Sequence, residues 1–213
     1  MRILAFIKQS RRLSLSLTSI HTLEYDGEIR FVFERGGDID ENRHVNCLKK
    51  IQRAHAMALH EGFDALLILD DDMIFPPDVL QKLIALDSPI AYGLYIRRDS
   101  THAWNAAHEI SDEKVAAYGD RTGDMQSAWG QSVAVQGVGT GCVLIRRDVV
   151  ERIPFTRRGV HGFDYYFAVD CVKAGITQRM DTSILCGHID PDNACIWWPT
   201  AEGYRTEVLS GVK

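Results

Sequence analysis

The sequence predicts an α/β fold with a central, mainly parallel sheet flanked by helices. Three observations carry that expectation. Ala65-Leu66-Leu67-Ile68-Leu69 is continuously apolar, as a parallel strand covered on both faces requires. Strand-like and helix-like segments alternate through the first half of the chain, the mark of a doubly wound sheet. With 46% apolar residues among 213, the chain can also bury a substantial core.

Taken in order, residues 2–8 form a short apolar run that closes at Lys8, a first buried strand. Residues 11–23 read as a helix with Leu13, Leu17 and Ile20 on one face. Residues 28–34 alternate polar with apolar and run out at Gly36-Gly37, a second strand. Residues 43–61 are a stronger helix, because Val45, Leu48, Ile51, His55 and Leu59 recur every three or four positions before Gly62. After the strand at 65–69, Pro76-Pro77-Asp78 opens another helix. Residues 90–96 are a strand. Residues 108–131 mix Gly, Asp, Ser and Glu without clear periodicity and read mainly as a long surface loop. Strands resume at 132–135 and 141–145, followed by a short helix from Arg147 to Ile153 and another over 164–174 that stops at Gly175.

The formal net charge is -5, with Lys and Arg scattered and no basic run. That composition argues against a protein devoted to gripping a nucleic-acid backbone. No apolar stretch reaches the roughly 18 to 20 residues that cross a bilayer, so no transmembrane segment is expected. The five cysteines form no Cys-x-x-Cys pair and are odd in number. Reduced, partly buried thiols and a cytoplasmic setting are the expectation.

Asp70, Asp71 and Asp72 follow the buried strand directly. Open α/β sheets bind ligands beyond the carboxyl ends of their strands. Three adjacent carboxylates repel one another, and a divalent cation offsets that economically. In an extended segment Asp70 and Asp72 point to the same side, so both can reach one ion. The blander reading is that these are loop acids capping the next helix. The segment Leu66-Leu67-Ile68-Leu69-Asp70-Asp71-Asp72-Met73-Ile74-Phe75-Pro76-Pro77-Asp78 resembles the DxD segment of GT-A glycosyltransferases, particularly the family-2-like group. The resemblance implies Mn²⁺ or Mg²⁺ bound to the donor's diphosphate. It makes Asp72 the direct ligand, turns Asp70 to the ribose or a metal-bound water, and puts Asp71 with the donor.

The second half extends the resemblance. Gly137-Val138-Gly139-Thr140-Gly141 is similar to the Gly-rich segment before a central strand in these enzymes. Gly139, Thr140 and Gly141 would then approach the acceptor and the donor sugar, although any one glycine also suits a tight turn. No Gly-Lys-Ser/Thr follows, and a strand rather than a helix comes next, so neither a P-loop nor a dinucleotide fingerprint is present. Phe163-Asp164-Tyr165-Tyr166-Phe167 resembles the family's helix that starts with a catalytic aspartate, and Asp164 matches that base. Phe163 stands where the family has Glu. A base is required because an acceptor hydroxyl is a poor nucleophile until its proton leaves. A carboxylate at a helix start also suits an N-cap. His188 occupies the place of the family's late metal-binding histidine, and imidazole suits Mn²⁺ better than Mg²⁺. By the same likeness, Asp38 or Asp40 would recognise the nucleotide base, and Arg97 or Arg98 would pair with the diphosphate. Trp104, Trp129, Trp197 and Trp198 offer a possible stacking surface for a sugar or a base.

The resemblance implies a metal-dependent glycosyltransferase, inverting with Asp164 as base, acting on a nucleoside-diphosphate sugar, UDP-sugar first. The alternatives are a nucleotidyltransferase making the sugar nucleotide and a non-catalytic sugar-nucleotide-binding module. The nucleotidyltransferase normally places a Gly-rich loop after the first strand, where Gln9-Ser10-Arg11-Arg12 stands here. The acceptor stays open among a polysaccharide, a lipid-linked sugar, a protein and a hydroxylated DNA base. One GT-A domain over 1–213 is expected, with a nucleotide-binding half at 1–98 and an acceptor and catalytic half at 99–190. The extension at 191–213 would be a hairpin, a lid or a homodimer contact.

Overall fold

The computed structural model describes residues 1–9, 14–35, 43–98, 101–120 and 123–209. In the first half, β1 (Arg2–Lys8), β2 (Glu28–Glu34) and β3 (Ala65–Asp70) pair in parallel with β1 in the middle. Every side chain from Ile3 to Ile7 and from Leu66 to Leu69 is fully buried. Each such aliphatic residue stabilises the fold by about 1.5–3 kcal/mol on burial. That double-sided burial explains the unbroken apolar runs, and Lys8 and Asp70 mark where both strands leave the core.

Two helices connect these strands. The first, α1 (Ser14–His21), buries Ser16, Ser19 and Ile20 while Leu15 is exposed. Of the expected face Leu13, Leu17 and Ile20, Ile20 is buried and Leu17 half-buried, Leu13 lies outside the described residues, and small serines complete the contact. The longer α2 (Arg43–His60) follows the expected span closely and packs on β1 and β3 through Ile51, Ala54 and Ala58. His55 donates through Nε2 to the Val150 carbonyl at 2.7 Å.

Beyond β3 come the two-residue β4 (Met73–Ile74), α3 (Val79–Ala85) and β5 (Ile90–Leu94). The segment expected to be a loop instead holds β6 (Ala106–Ile110), β7 (Val115–Ala117) and α4 (Asp124–Ala128). Ala106, Ala107, Ile110, Ala117 and Tyr118 are buried there. Strands this short, built largely of alanine, leave no periodic signal strong enough to read. They continue into β8 (Ser132–Val135), β9 (Gly137–Val138) and β10 (Cys142–Arg146). The last third adds α5 (Arg147–Arg152), α6 (Phe163–Lys173), β11 (Gln178–Leu185), β12 (Gly187–Asp190), β13 (Cys195–Thr200) and β14 (Gly203–Val208).

The large sheet has the order β2-β1-β3-β10-β5-β11-β8. β10 lies antiparallel between β3 and β5, and β8 lies antiparallel at the edge. The other five strands run one way, so the sheet is mainly parallel with a reversed strand near its centre. A second sheet, β14-β13-β12-β4, grows from the turn after Asp72. Residues 191–209 thus contribute a hairpin: β13 and β14 pair from Cys195–Val208 to Thr200–Gly203. A third sheet, β7-β6-β9, stands beside α6. Four of the five cysteines are buried and all five are free thiols. No helix among the described residues is long and apolar enough to cross a membrane.

Candidate active site

The carboxyl ends of β1 and β3 meet the start of β10 at one edge of the large sheet. Parallel register puts Lys8 beside Asp70, and the Lys8 ammonium reaches the Asp70 carboxylate at 2.7 Å and Thr140 Oγ1 at 3.0 Å. Burial works against the Lys8 charge, but the charge and hydrogen bond of Asp70 outweigh it and leave the lysine pKa raised. Backbone bonding locks the same corner, since Asp70 N–H donates to the Gly141 carbonyl at 3.0 Å. Asp71 is almost wholly buried and engaged in the fold.

Asp72 turns into the junction with the second sheet. Its Oδ2 accepts from Arg98 Nη2 at 2.6 Å, and its Oδ1 lies 3.7 Å from His188 Nε2. Register in β12 places His188 opposite Met73, one residue past Asp72. His188 Nδ1 sits 2.6 Å from the Ile96 carbonyl. A carbonyl only accepts, so Nδ1 carries the proton and Nε2 is the nitrogen turned to Asp72. Burial alone would raise the Asp72 carboxyl. The neighbouring His188 ring and the charges of Arg98 and Lys8 outweigh it and hold the carboxyl at about 2. Among the described residues, no three His, Cys, Asp or Glu side chains converge tightly enough to form a metal cage by themselves.

A short ribbon builds the neighbouring wall. After β5, Asn105 N–H donates to the Tyr95 carbonyl and Arg97 N–H to the Ala103 carbonyl, each at 3.0 Å. Tyr95 Oη accepts from Gly141 N–H at 3.1 Å, and its ring meets His188 edge-on with centroids 5.6 Å apart. A Cβ at Gly139 would run into Asn105 Nδ2 and Tyr95 Oη, so only glycine admits this approach.

On the far side of that turn lies a cleft of about 370 Å³. Gly139, Arg97, Asn105, Asp164, His161 and Tyr165 are among its lining residues. Asp164 sits in the first turn of α6, one residue inside the helix whose N-cap is Gly162, where its carboxylate also serves a free helix-end amide. Its Oδ1 accepts the Tyr165 N–H at 3.0 Å. The turn 139–141 therefore joins two neighbourhoods: Gly139 faces the Asp164 cleft, and Thr140 is tied to Lys8 and Asp70.

No protein-family profile matches the chain, and no curated protein matches it by sequence. Solved structures do. A197 from STIV superposes with a TM-score of 0.64 at 18% identity, over 100% of this chain and 96% of that one. S. aureus TarS 1-349 gives a TM-score of 0.51 at 10% identity, over 84% of this chain and 58% of that one. A glycosyltransferase involved in the glycosylation of the major capsid of PBCV-1 gives 0.37 at 13% identity, over 71% and 63%. The chain has the GT-A glycosyltransferase fold.

Within this GT-A fold, Asp70, Asp72, His188 and Arg98 gather at the sheet edge, while Asp164, Arg97 and Gly139 line the cleft beside it. Asp38 and Asp40 lie outside the described residues. The tryptophans do not form one open stacking surface. Trp104 is fully buried with its Nε1 donating to the Thr200 carbonyl, and Trp197 is nearly buried with Nε1 on Asp190. Sequence reasoning missed Lys8, Tyr95 and Asn105. Only Lys8 left a signal: a charge ending a buried strand that runs parallel to the one ending at Asp70.

Proposed function

We propose that the protein is a metal-dependent glycosyltransferase that moves a sugar from a nucleoside diphosphate, UDP foremost, to an acceptor hydroxyl with inversion. The observation that carries this reading is the junction at 139–141, which sets an aspartate-lined cleft against an acidic sheet edge. A donor bound at that edge would present its sugar to a hydroxyl held beside Asp164.

Asp72 and His188 are the side chains at the edge that would hold a divalent cation, with Asp72 already paired to Arg98 and Asp70 to Lys8. His188 is fixed by its Nδ1 bond to Ile96 with Nε2 toward Asp72, and metal-binding histidines usually donate their other ring nitrogen in this way. Asp72, held ionised, and His188 would supply two ligands, with diphosphate oxygens and water completing the shell as such ions commonly require. Asp70, tied to Lys8, would face the ribose or a bound water. When present, the ion supplies Lewis-acid neutralisation of the departing diphosphate.

The chain's own residues supply the remainder. Asp164 removes the acceptor proton as the new bond forms; the acceptor oxygen attacks the anomeric carbon from the face opposite the nucleotide. Lys8, paired with Asp70 and Thr140, would hold the Asp70 carboxylate and the turn in place. Arg97, lining the cleft, is suited to a phosphate or sugar oxygen. Gly139 lets Asn105 and Tyr95 close against the backbone of the turn.

The test is thermal stabilisation by UDP with Mn²⁺ and with EDTA, because a ligand of the native state alone raises the melting temperature. Stabilisation that needs Mn²⁺ and disappears in Asp72→Asn supports the reading. Equal stabilisation in EDTA refutes the metal dependence.

A further inference from the structure

Arg98 spans the two halves of the proposed cation site. Its Nη2 donates to Asp72 Oδ2 at 2.6 Å, and its Nη1 donates to the Ile189 carbonyl at 2.8 Å. Ile189 N–H returns a bond to the Asp72 backbone carbonyl at 2.8 Å. One guanidinium thus ties the Asp72 carboxylate to the residue that follows His188. With Oδ2 taken, only Oδ1 faces His188 Nε2. Its neighbour Arg97 turns to the cleft instead.

We propose that Arg98 is a positioning residue for the nucleotide site. It acts on the donor only through Asp72, fixing that carboxylate for single-oxygen ligation beside His188, and does not itself contact the diphosphate. The inference rests on the cation reading above.

Two effects of opposite sign meet in Arg98. Its charge repels a cation, so removing it would favour metal binding. Its hydrogen bond orients a ligating carboxylate, so removing it would weaken metal binding. The Arg98 side chain is 22% exposed and Asp72 only 12%, so salt screens the repulsion only in small part. Loss of an outer hydrogen bond to a metal ligand costs roughly tenfold or more in affinity. If orientation is the larger effect, removing Arg98 weakens Mn²⁺ binding, and that sign is what the titration reads.

The experiment is calorimetric titration of UDP into the wild type, Arg98→Met, Arg98→Lys, Asp72→Asn and the Arg98→Met/Asp72→Asn double variant, each with MnCl₂ and with EDTA. Mn²⁺ should strengthen UDP binding to the wild type. Arg98→Met should lose roughly tenfold of that gain while its affinity in EDTA is unchanged. Arg98→Lys should recover part of the gain, and the double variant should bind no more weakly than Asp72→Asn. If Arg98→Met does not fold, Arg98→Lys carries the test, with a partial loss confined to Mn²⁺. A loss of equal size in EDTA means direct contact with the diphosphate and overturns the proposal. So does an undiminished Mn²⁺ gain in Arg98→Met, which leaves the cation reading standing. An absence of Mn²⁺ gain in the wild type overturns both.

Discussion

Lys8 and Asp70 end adjacent parallel strands in register, and their side chains close a 2.7 Å ion pair at the edge of the large sheet. The pair anchors Thr140, which carries the turn that opens on Asp164. Chemistry proposed for two separate stretches of sequence is thereby brought to one edge.

Asp164 is expected to matter for transfer and not for the nucleotide. In Asp164→Asn, acceptor-dependent turnover should fall on the order of 100-fold or more, as loss of a general base does. UDP affinity should stay at the wild-type value, since the residue lies on the cleft side. Steady-state kinetics beside a UDP titration checks both, and undiminished turnover would remove Asp164 from the reaction.

Gly139 tests the close approach at the junction. Gly139→Ala drives a methyl group into Asn105 and Tyr95, and Tyr95 in turn holds Gly141 N–H. Misplacement of reacting groups by about 1 Å can cost on the order of 100-fold in rate. Turnover should drop at least tenfold with the melting temperature changed far less. A variant as active as wild type would show that the turn has slack.

Leu67 tests the central strand. It is fully buried in β3 between β1 and β10. Leu67→Ala removes buried methyl groups and leaves a cavity, so urea unfolding should report a loss of about 2–5 kcal/mol. A loss well under 1 kcal/mol would mean the strand is not packed on both faces.

Much of this was legible beforehand because burial on both faces writes an unbroken apolar run, which β1 and β3 display. The helix over 43–60 was equally plain, since one face must meet the sheet. The reversed β10 was not legible: an antiparallel strand buried among parallel ones has the same apolar composition, and direction leaves no mark in the residues. β6 and β7 escaped for another reason, as Ala106, Ala107 and Ala117 are small enough to pack without a hydrophobic alternation. At the candidate site, the resemblance named Asp72 and His188, and the fold brings the two within 3.7 Å of each other. Tyr95 and Asn105 could not be named, because they act through a ribbon formed only when residues 95–97 meet 103–105.

Acid should loosen the β6–β7 region through Asp124. Burial alone would raise its carboxyl, but hydrogen bonds from Gly119 N–H and His108, joined by Met125 N–H, outweigh burial and hold it below the ordinary value. A depressed folded-state value means the stabilisation is full above the unfolded carboxyl pKa and is lost as pH falls through the folded one. The stability gap between wild type and Asp124→Asn should therefore hold steady above about pH 5 and shrink progressively as the pH falls below it. A gap that stays constant in urea melts across that range would refute the linkage.

The most direct measurement is release of UDP from a panel of UDP-sugars, with Mn²⁺ and with EDTA, by the wild type and Asp72→Asn. Glycosyl transfer at the acidic edge requires UDP release, to acceptor or slowly to water, by the wild type with Mn²⁺ and by neither EDTA-treated protein nor the variant. Release that persists undiminished in Asp72→Asn, or binding of UDP-sugars with no release under any condition, would contradict it.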